Sequence, residues 1–129
     1  TPIEALENLT MFIASNNVIK DATALKNLHN LTFINLSENP LESIDFAKEL
    51  SNLDRLQISD TNVSDLTPLA NAKNLYYLDI RGTKVTSIQP LVGLTKLKYV
   101  LLNKETVEDW ALLEKDGGPI ISEITIMAE

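Results

Sequence analysis

The chain of 129 residues suits a single domain, and its hydrophobic content of 44% is enough for one continuous core. Acidic and basic residues are interleaved at a net charge of −7, which argues against nucleic acid and anionic membranes as partners. The sequence contains no cysteine, which excludes a disulfide framework, a thiolate zinc site and a cysteine nucleophile. No apolar run reaches the roughly 20 residues of a membrane-spanning helix, so we expect no membrane insertion.

The sequence repeats itself every 22 residues, without insertion or deletion between repeats. Residues 75–96 give the clearest copy, L-x-x-L-x-I-x-x-T-x-V-x-x-I-x-P-L-x-x-L-x-x. The leucine that opens each copy lies at Leu9, Leu31, Leu53, Leu75 and Leu97. A fixed period of this length is the signature of a solenoid. We therefore assign residues 1–118 to repeats that start at 9, 31, 53, 75 and 97, after a partial repeat over residues 1–8.

The chain begins in the middle of a repeat, because residues 1–3 match Thr67, Pro68 and Leu69 in repeat position. A solenoid needs a terminal cap that covers its core. We therefore expect a longer parent protein that supplies an N-terminal cap, with Ile3 and Leu6 less protected than their repeat equivalents.

Each repeat is predicted to open with a short strand, because apolar residues alternate around its fourth and sixth positions. Strands that recur after a crossover stack in parallel, about 4.8 Å apart. The ninth positions are expected to point inward and satisfy backbone groups at the bend after the strand. They are Asn17, Asn39, Thr61, Thr83 and Glu105, of which Glu105 marks the loss of repeat form.

The second half of each repeat is predicted to hold a short 3₁₀ or α segment, because little more than a turn fits before the next strand. The eleventh and fourteenth positions are expected to fill the core. Fifteenth-position residues such as Thr23, Asp45 and Thr67 are the expected helix caps, with Pro68 at the first helical position of its segment. Residues 45–50 contain neither Pro nor Gly and are the best candidate for a true α-turn.

The last repeat loses the pattern at Gly117, Gly118 and Pro119. Residues 119–129 contain Ile121, Ile124 and Ile126 and are predicted to form a capping strand, not necessarily in strict register. We interpret Trp110 as a residue that seals the core rather than one that binds a ligand.

The repeat pattern resembles the 22-residue leucine-rich repeats of the internalin family of Gram-positive bacteria. The best matches are residues 64–70 and residues 86–91, where Pro68 and Pro90 each precede a Leu. Intracellular phosphatase-regulator repeats share the length, but the Pro-Leu pair favours internalins. The resemblance covers residues 1 to about 116. The chain departs from the family by having fewer repeats, by lacking Pro at Ala24 and Phe46, and by having no immunoglobulin-like flanking domain.

The resemblance implies an α/β fold: a right-handed, curved leucine-rich-repeat solenoid with a parallel β-sheet on its concave face and short 3₁₀ or α segments on its convex face. Internalins are surface or secreted proteins that bind host or extracellular proteins through concave side chains. The resemblance therefore implies an extracellular or cell-wall location and a role in adhesion. A cytoplasmic protein is the alternative.

Candidate binding residues occupy the strand positions that face outward on the concave surface, where variation does not harm the core. Three of the six Phe and Tyr residues share one such column with Arg55, and exposed aromatics beside Arg are typical of interface hot spots. We expect this column to form a continuous ladder of side chains. The candidate ligand-binding residues are Met11, Phe33, Arg55, Tyr77, Asp79, Tyr99 and Leu101.

The sequence offers little for catalysis or metal binding. His29 is the only histidine, and its repeat equivalents include Ser51 and Lys73, which marks a plain solvent position. Short polar residues such as Asp21 and Asp65 form a column that turn geometry explains, and carboxylates at every second repeat are too sparse for calcium. We predict no enzymatic activity, no catalytic residues, no metal and no cofactor.

We predict a non-catalytic, monomeric module that binds a protein ligand, host or extracellular, through its concave face. A glycan is a less favoured ligand. An intracellular scaffold or enzyme-regulating subunit with the same repeat length is one alternative, and a structural spacer is a second.

Overall fold

A computed structural model describes residues 8–114 and 118–123. Its centre is one six-stranded sheet in which the strands follow chain order and all neighbours are parallel. The strands are β1 (Met11–Ile13), β2 (Phe33–Asn35), β3 (Arg55–Gln57), β4 (Tyr77–Asp79), β5 (Tyr99–Leu101) and β6 (Ile120–Ser122). The predicted solenoid fold is confirmed.

The register of the sheet follows the sequence repeat, because each strand residue pairs with the residue 22 positions later. Met11 pairs with Phe33, and Tyr77 pairs with Tyr99. The last step is one residue shorter, so Tyr99 pairs with Ile120. The described part of the expected capping strand is therefore β6. Ile124 and Ile126 lie outside the described residues, as do Gly117, Ile3 and Leu6.

In the described part of the chain, five 3₁₀ segments on the convex face connect the strands. They are η1 (Thr23–Asn27), η2 (Asp45–Glu49), η3 (Thr67–Leu69), η4 (Gln89–Leu91) and η5 (Trp110–Leu113). The expected α-turn at residues 45–50 is wrong, because the backbone bonds there run from Ala47 N to Ile44 O and from Leu50 N to Ala47 O, each spanning three residues. So short a crossover favours the tighter 3₁₀ geometry.

The expected helix caps at the fifteenth positions are also wrong. Thr23, Asp45 and Thr67 are the first residues of their segments, and no side chain of the preceding residue caps them. The side chains at the thirteenth position bind the free backbone N–H groups instead. Asp21 Oδ1 accepts a hydrogen bond from Thr23 N at 2.8 Å. Ser43, Asp65 and Ser87 accept the backbone N–H two residues later in the same way. These are Asx and Ser turns, as expected for short polar side chains at that position.

The core lies between the sheet and the 3₁₀ segments and is formed by the predicted inward positions. In the second repeat Leu31, Ile34, Leu36 and Leu41 are fully buried. Their equivalents in the first repeat, Leu9, Phe12, Ala14 and Ile19, are only partly buried against the same core. Trp110 is also partly buried against it, with Lys104 Nζ 4.0 Å from the centroid of its ring.

In the first four repeats the ninth-position residues satisfy backbone carbonyls at the bend after the strand, as predicted. The side chain of Asn39 is buried, donates to the carbonyls of Ala14, Leu36 and Ser37, and accepts from Ile19 N. Threonine replaces only part of this network, because Thr61 Oγ1 donates to the single carbonyl of Ile58. These bonds fix the direction in which each strand leaves the sheet.

Candidate functional site

The concave face is formed by the first and last residues of each three-residue strand, because the middle residue points into the core. The middle residues of β2 to β5 are Ile34, Leu56, Leu78 and Val100, and all are fully buried. Successive side chains on a strand point to opposite faces. The predicted site residues therefore fall into two concave columns. The first-residue column contains Met11, Phe33, Arg55, Tyr77 and Tyr99; the last-residue column contains Ile13, Asn35, Gln57, Asp79 and Leu101.

The first-residue column forms a chain of ring and cation contacts, as the predicted ladder requires. The guanidinium carbon of Arg55 lies 5.1 Å from the centroid of the Phe33 ring and 4.3 Å from that of Tyr77. The Tyr77 ring is in turn 6.0 Å from that of Tyr99, at an interplanar angle of 49°. Cation–π contacts and tilted ring pairs of this kind are favourable. The ladder is a connected surface across four strands.

A second layer of contacts holds Tyr99 at the C-terminal end of the ladder. The exposed ring of Tyr76 meets Tyr99 edge-on at a centroid distance of 5.6 Å. Lys98 Nζ lies 5.7 Å from the centroid of the Tyr99 ring. Tyr99 is thus held from two sides while part of its surface stays accessible.

The last-residue column is more polar, and its Asp79 forms a partly buried ion pair with Arg81. The carboxylate of Asp79 accepts from Arg81 Nε at 2.9 Å and from Arg81 Nη2 at 2.7 Å. This bond raises the pKa of Arg81, so the guanidinium stays charged. Asp79 also accepts from the backbone N–H of Arg81, just as Asn35 accepts from that of Ser37.

Three of the predicted site residues are less open to solvent than expected. Tyr77 is 6% exposed, Asp79 is 2% exposed and Leu101 is fully buried, whereas Met11 is 50% exposed. The side chains of parallel strands are about 4.8 Å apart, and bulky or paired neighbours at this end of the sheet fill the space between them. Tyr77, Asp79 and Leu101 therefore belong to the concave face but contribute mainly to its packing.

Arg81 lies beside the candidate site and pairs with one of its residues, but it was not among the residues predicted from the sequence. The ion pair neutralises Asp79, which had been a candidate ligand-binding residue. The sequence offered a signal, since Arg81 follows Asp79 by only two residues and carries the opposite charge.

Carboxylates on the convex side are engaged in local turns. Hydrogen bonds from Thr23, first from its hydroxyl and then from its backbone N–H, lower the pKa of Asp21. The backbone N–H of Thr67, followed by its hydroxyl, lowers the pKa of Asp65.

Among residues 8–114 and 118–123, no group of three His, Asp or Glu side chains is arranged to hold a metal ion. His29 is exposed, and its Nδ1 lies 3.2 Å from the carbonyl oxygen of Glu49.

A family profile described as leucine-rich repeats in two copies matches residues 7–49. No curated protein matches the chain. In the part of the chain that the structure describes, no helix has the length and apolar character to cross a membrane.

Solved structures of internalins are similar in fold. An internalin (inlF) from Listeria monocytogenes superimposes with a TM-score of 0.73 at 28% identity, covering 76% of this chain and 29% of that one. Internalin C2 (inlC2) from the same organism gives a TM-score of 0.76 at 29% identity, covering 80% of this chain and 46% of that one. A plant peptide hormone receptor, RGFR1 in complex with RGF2, gives 0.67 at 20% identity over 78% of this chain and 18% of that chain. The chain spans less than half the length of each.

The stack of parallel strands with 3₁₀ crossovers defines the class of fold: this chain folds as a leucine-rich-repeat solenoid, and a leucine-rich-repeat profile matches its residues 7–49. Within that class, its 22-residue repeats and its likeness to two internalins make it internalin-like. Repeat solenoids of this class present extended concave surfaces for binding.

Proposed function

We propose that the protein is a non-catalytic module of a surface or secreted bacterial protein and binds a protein ligand through its concave face. The observation that carries this proposal is the ladder itself. Four strands present rings and a guanidinium in continuous contact on the face opposite the core. Half-buried aromatic and Arg side chains of this kind are enriched at the centres of protein interfaces.

An extracellular or cell-wall location in a Gram-positive bacterium and a role in adhesion are part of the same proposal. Two internalins from Listeria monocytogenes support it, since they share the fold at 28% and 29% identity. The receptor RGFR1, whose structure is described as a complex with RGF2, supports ligand binding by a fold of this kind.

The test is a pull-down from extracellular and host-surface protein extracts with matched variants of the whole chain. The site variant is Phe33→Ser/Tyr99→Ser, because both side chains are half-buried on the ladder. Tyr77 is unsuitable, since a side chain that is 6% exposed contributes to folding. The control variant is Val92→Ser/Leu112→Ser, which removes two exposed apolar side chains from the convex side.

We expect the wild type and the control variant to retain the same protein and the site variant to lose it, with at least about tenfold weaker binding when the purified partner is tested. Retention of the partner by the site variant and its loss by the control variant would move the site to the convex face. If equally folded wild type retains nothing from either extract, a structural spacer replaces the binding module. A partner found only in cytoplasmic extract would favour the intracellular scaffold.

A further inference from the structure

Arg55 differs from the other arginine of the chain in what its guanidinium binds. Arg81 donates from Nε and Nη2 to the carboxylate of Asp79. Within residues 8–114 and 118–123, the guanidinium of Arg55 makes neither a hydrogen bond nor an ion pair, and its Nε is buried without a partner. A guanidinium carries five N–H donors, and leaving a buried donor unsatisfied costs free energy.

Arg55 is nevertheless fixed in place. Its guanidinium lies between the rings of Phe33 and Tyr77, its register neighbours on either side in the sheet. Contacts with two ring faces restrict the side chain while leaving the hydrogen-bonding edge of the planar group to other partners. The donors of Arg55 are thus held in position before any ligand binds.

The charges around Arg55 favour an anion despite the net charge of −7 for the whole chain. Both register neighbours are uncharged, and so is Gln57, which shares its strand and its face. Asp79 in the next strand is neutralised by Arg81. Asp54 is exposed and forms no ion pair with Arg55 in the described part of the chain. The middle of the concave face therefore carries one uncompensated positive charge.

We infer that Arg55 is the specificity anchor of the concave face and receives the carboxylate of a Glu or Asp side chain of the protein ligand. This inference rests on the proposed function. A carboxylate matches the guanidinium fork with two parallel hydrogen bonds, and aromatic neighbours that exclude water strengthen such a pair. One cation matches one monoanionic carboxylate better than a phosphate group, which carries −1.5 to −2 charges at about pH 7.

The test uses the whole chain labelled with ¹⁵N, because its two arginines give only two side-chain Nε–Hε signals. The probe is the blocked peptide acetyl-Ser-Ala-Glu-Ala-Ser-amide, whose single carboxylate is the Glu side chain, and the control peptide has Gln in its place. We expect the Glu peptide to shift the Arg55 signal with a dissociation constant on the order of 1 mM, and the Arg81 signal to stay unchanged. The Gln peptide is expected to give no saturable shift.

Two variants separate the bidentate guanidinium from positive charge in general. Arg55→Lys keeps the charge but lacks the fork, so we expect Glu-peptide binding at least about tenfold weaker when backbone amide signals of the sheet are followed. Lys73→Met removes an exposed cation that lies outside the two concave columns and is expected to change binding by less than about twofold. Equal binding by wild type and a folded Arg55→Lys variant would overturn the inference.

Other carboxylate sources serve as competing outcomes. Tighter binding of N-acetylneuraminic acid, or of the peptide acetyl-Ser-Ala-Gln-Ala-Ser with a free C-terminus, would overturn the assignment to a Glu or Asp side chain. No shift of the Arg55 signal at about 20 mM Glu peptide would also overturn it. That failure differs from failure of the proposed function, which is read from Phe33→Ser/Tyr99→Ser and a purified protein partner.

Discussion

The two ends of the concave face occupy the same repeat positions but present different surfaces. At the N-terminal end Met11 is 50% and Ile13 is 56% exposed. At the C-terminal end Tyr99 is partly covered by Tyr76, and Leu101 is fully buried. Repeat position therefore determines which face a side chain occupies, and the size and pairing of its neighbours determine whether solvent or a ligand reaches it.

Arg55 lies between these two ends and shares features of both. Its guanidinium is packed between rings, as at the C-terminal end, yet its donors are unpaired within residues 8–114 and 118–123. This combination of a fixed side chain and unused hydrogen-bonding capacity is what a preorganised binding group requires.

The largest expected effect tests whether Leu101 supports folding more than binding. Leu101→Ala should lower the free energy of unfolding by about 3 kcal/mol, because it removes fully buried methyl groups and leaves a cavity. Ile13→Ala, at the equivalent position of the exposed end, should cost less than about 1 kcal/mol. Urea unfolding followed by circular dichroism measures both. Equal losses in the two variants would refute the difference between the two ends.

A somewhat smaller effect is expected from the ion pair of the last-residue column. Arg81→Met should lower the free energy of unfolding by about 2 kcal/mol, because it leaves the 2% exposed carboxylate of Asp79 without its charged partner. The loss is limited because the Arg81 side chain is 24% exposed. The double variant Asp79→Asn/Arg81→Met should recover part of that loss, since the buried charge is gone. If the double variant is no more stable than Arg81→Met in the same urea assay, the pair does not act as described.

A glycine in the C-terminal half tests the backbone behind the same face. Asn16, Glu38, Asp60 and Gly82 share one repeat position and a positive φ, and Gly82 has the largest, 68°. Gly82→Ala should lower the free energy of unfolding by about 1–2 kcal/mol, because the left-handed conformation disfavours a residue with a Cβ. In addition, the new Cβ would overlap Asp60 Oδ1.

Gly93→Ala is the matched control, since no neighbouring heavy atom lies within 4 Å of a Cβ added there. Thermal unfolding of the two variants side by side should show a lower midpoint for Gly82→Ala only. A similar midpoint for both would mean that the turn tolerates a side chain.

The smallest expected effect concerns the thirteenth-position column, in which Asp21, Ser43, Asp65 and Ser87 form the same turn, in contrast to the varied concave columns. Asp21 and Asp65 have lowered pKa values because Thr23 and Thr67 donate to their carboxylates. A lowered folded-state pKa contributes stability above the ordinary value of 3.8 and loses it as the pH falls through the folded-state pKa.

The variant Asp21→Ser/Asp65→Ser imitates the hydroxyls that Ser43 and Ser87 use at the same position. We expect its unfolding midpoint to fall less than that of the wild type between about pH 4 and about pH 2. Parallel midpoint curves for the two proteins would show that these carboxylates do not contribute to acid sensitivity.

Much of the fold was predictable because one pattern is repeated. The leucines at fixed repeat positions identified the strands, their parallel order and their register. The helix caps were misassigned because Thr23 and Asp21 both suit a turn, and only the backbone geometry shows which side chain accepts the bond. The α-turn was misassigned because the composition of residues 45–50 does not reveal how tightly a short crossover must wind.

The sequence by itself determined that the chain is a solenoid of 22-residue repeats and which strand residues share a face, because these follow from period and alternation, and its resemblance to internalins implied the leucine-rich-repeat fold. Only the tertiary structure decided that Asp79 forms an ion pair with Arg81 and that Leu101 is buried. It also decided that Arg55 is held between Phe33 and Tyr77 while its N–H donors make no hydrogen bond in the described part of the chain. Exposure and pairing depend on distances between side chains of different repeats, and no single repeat contains that information.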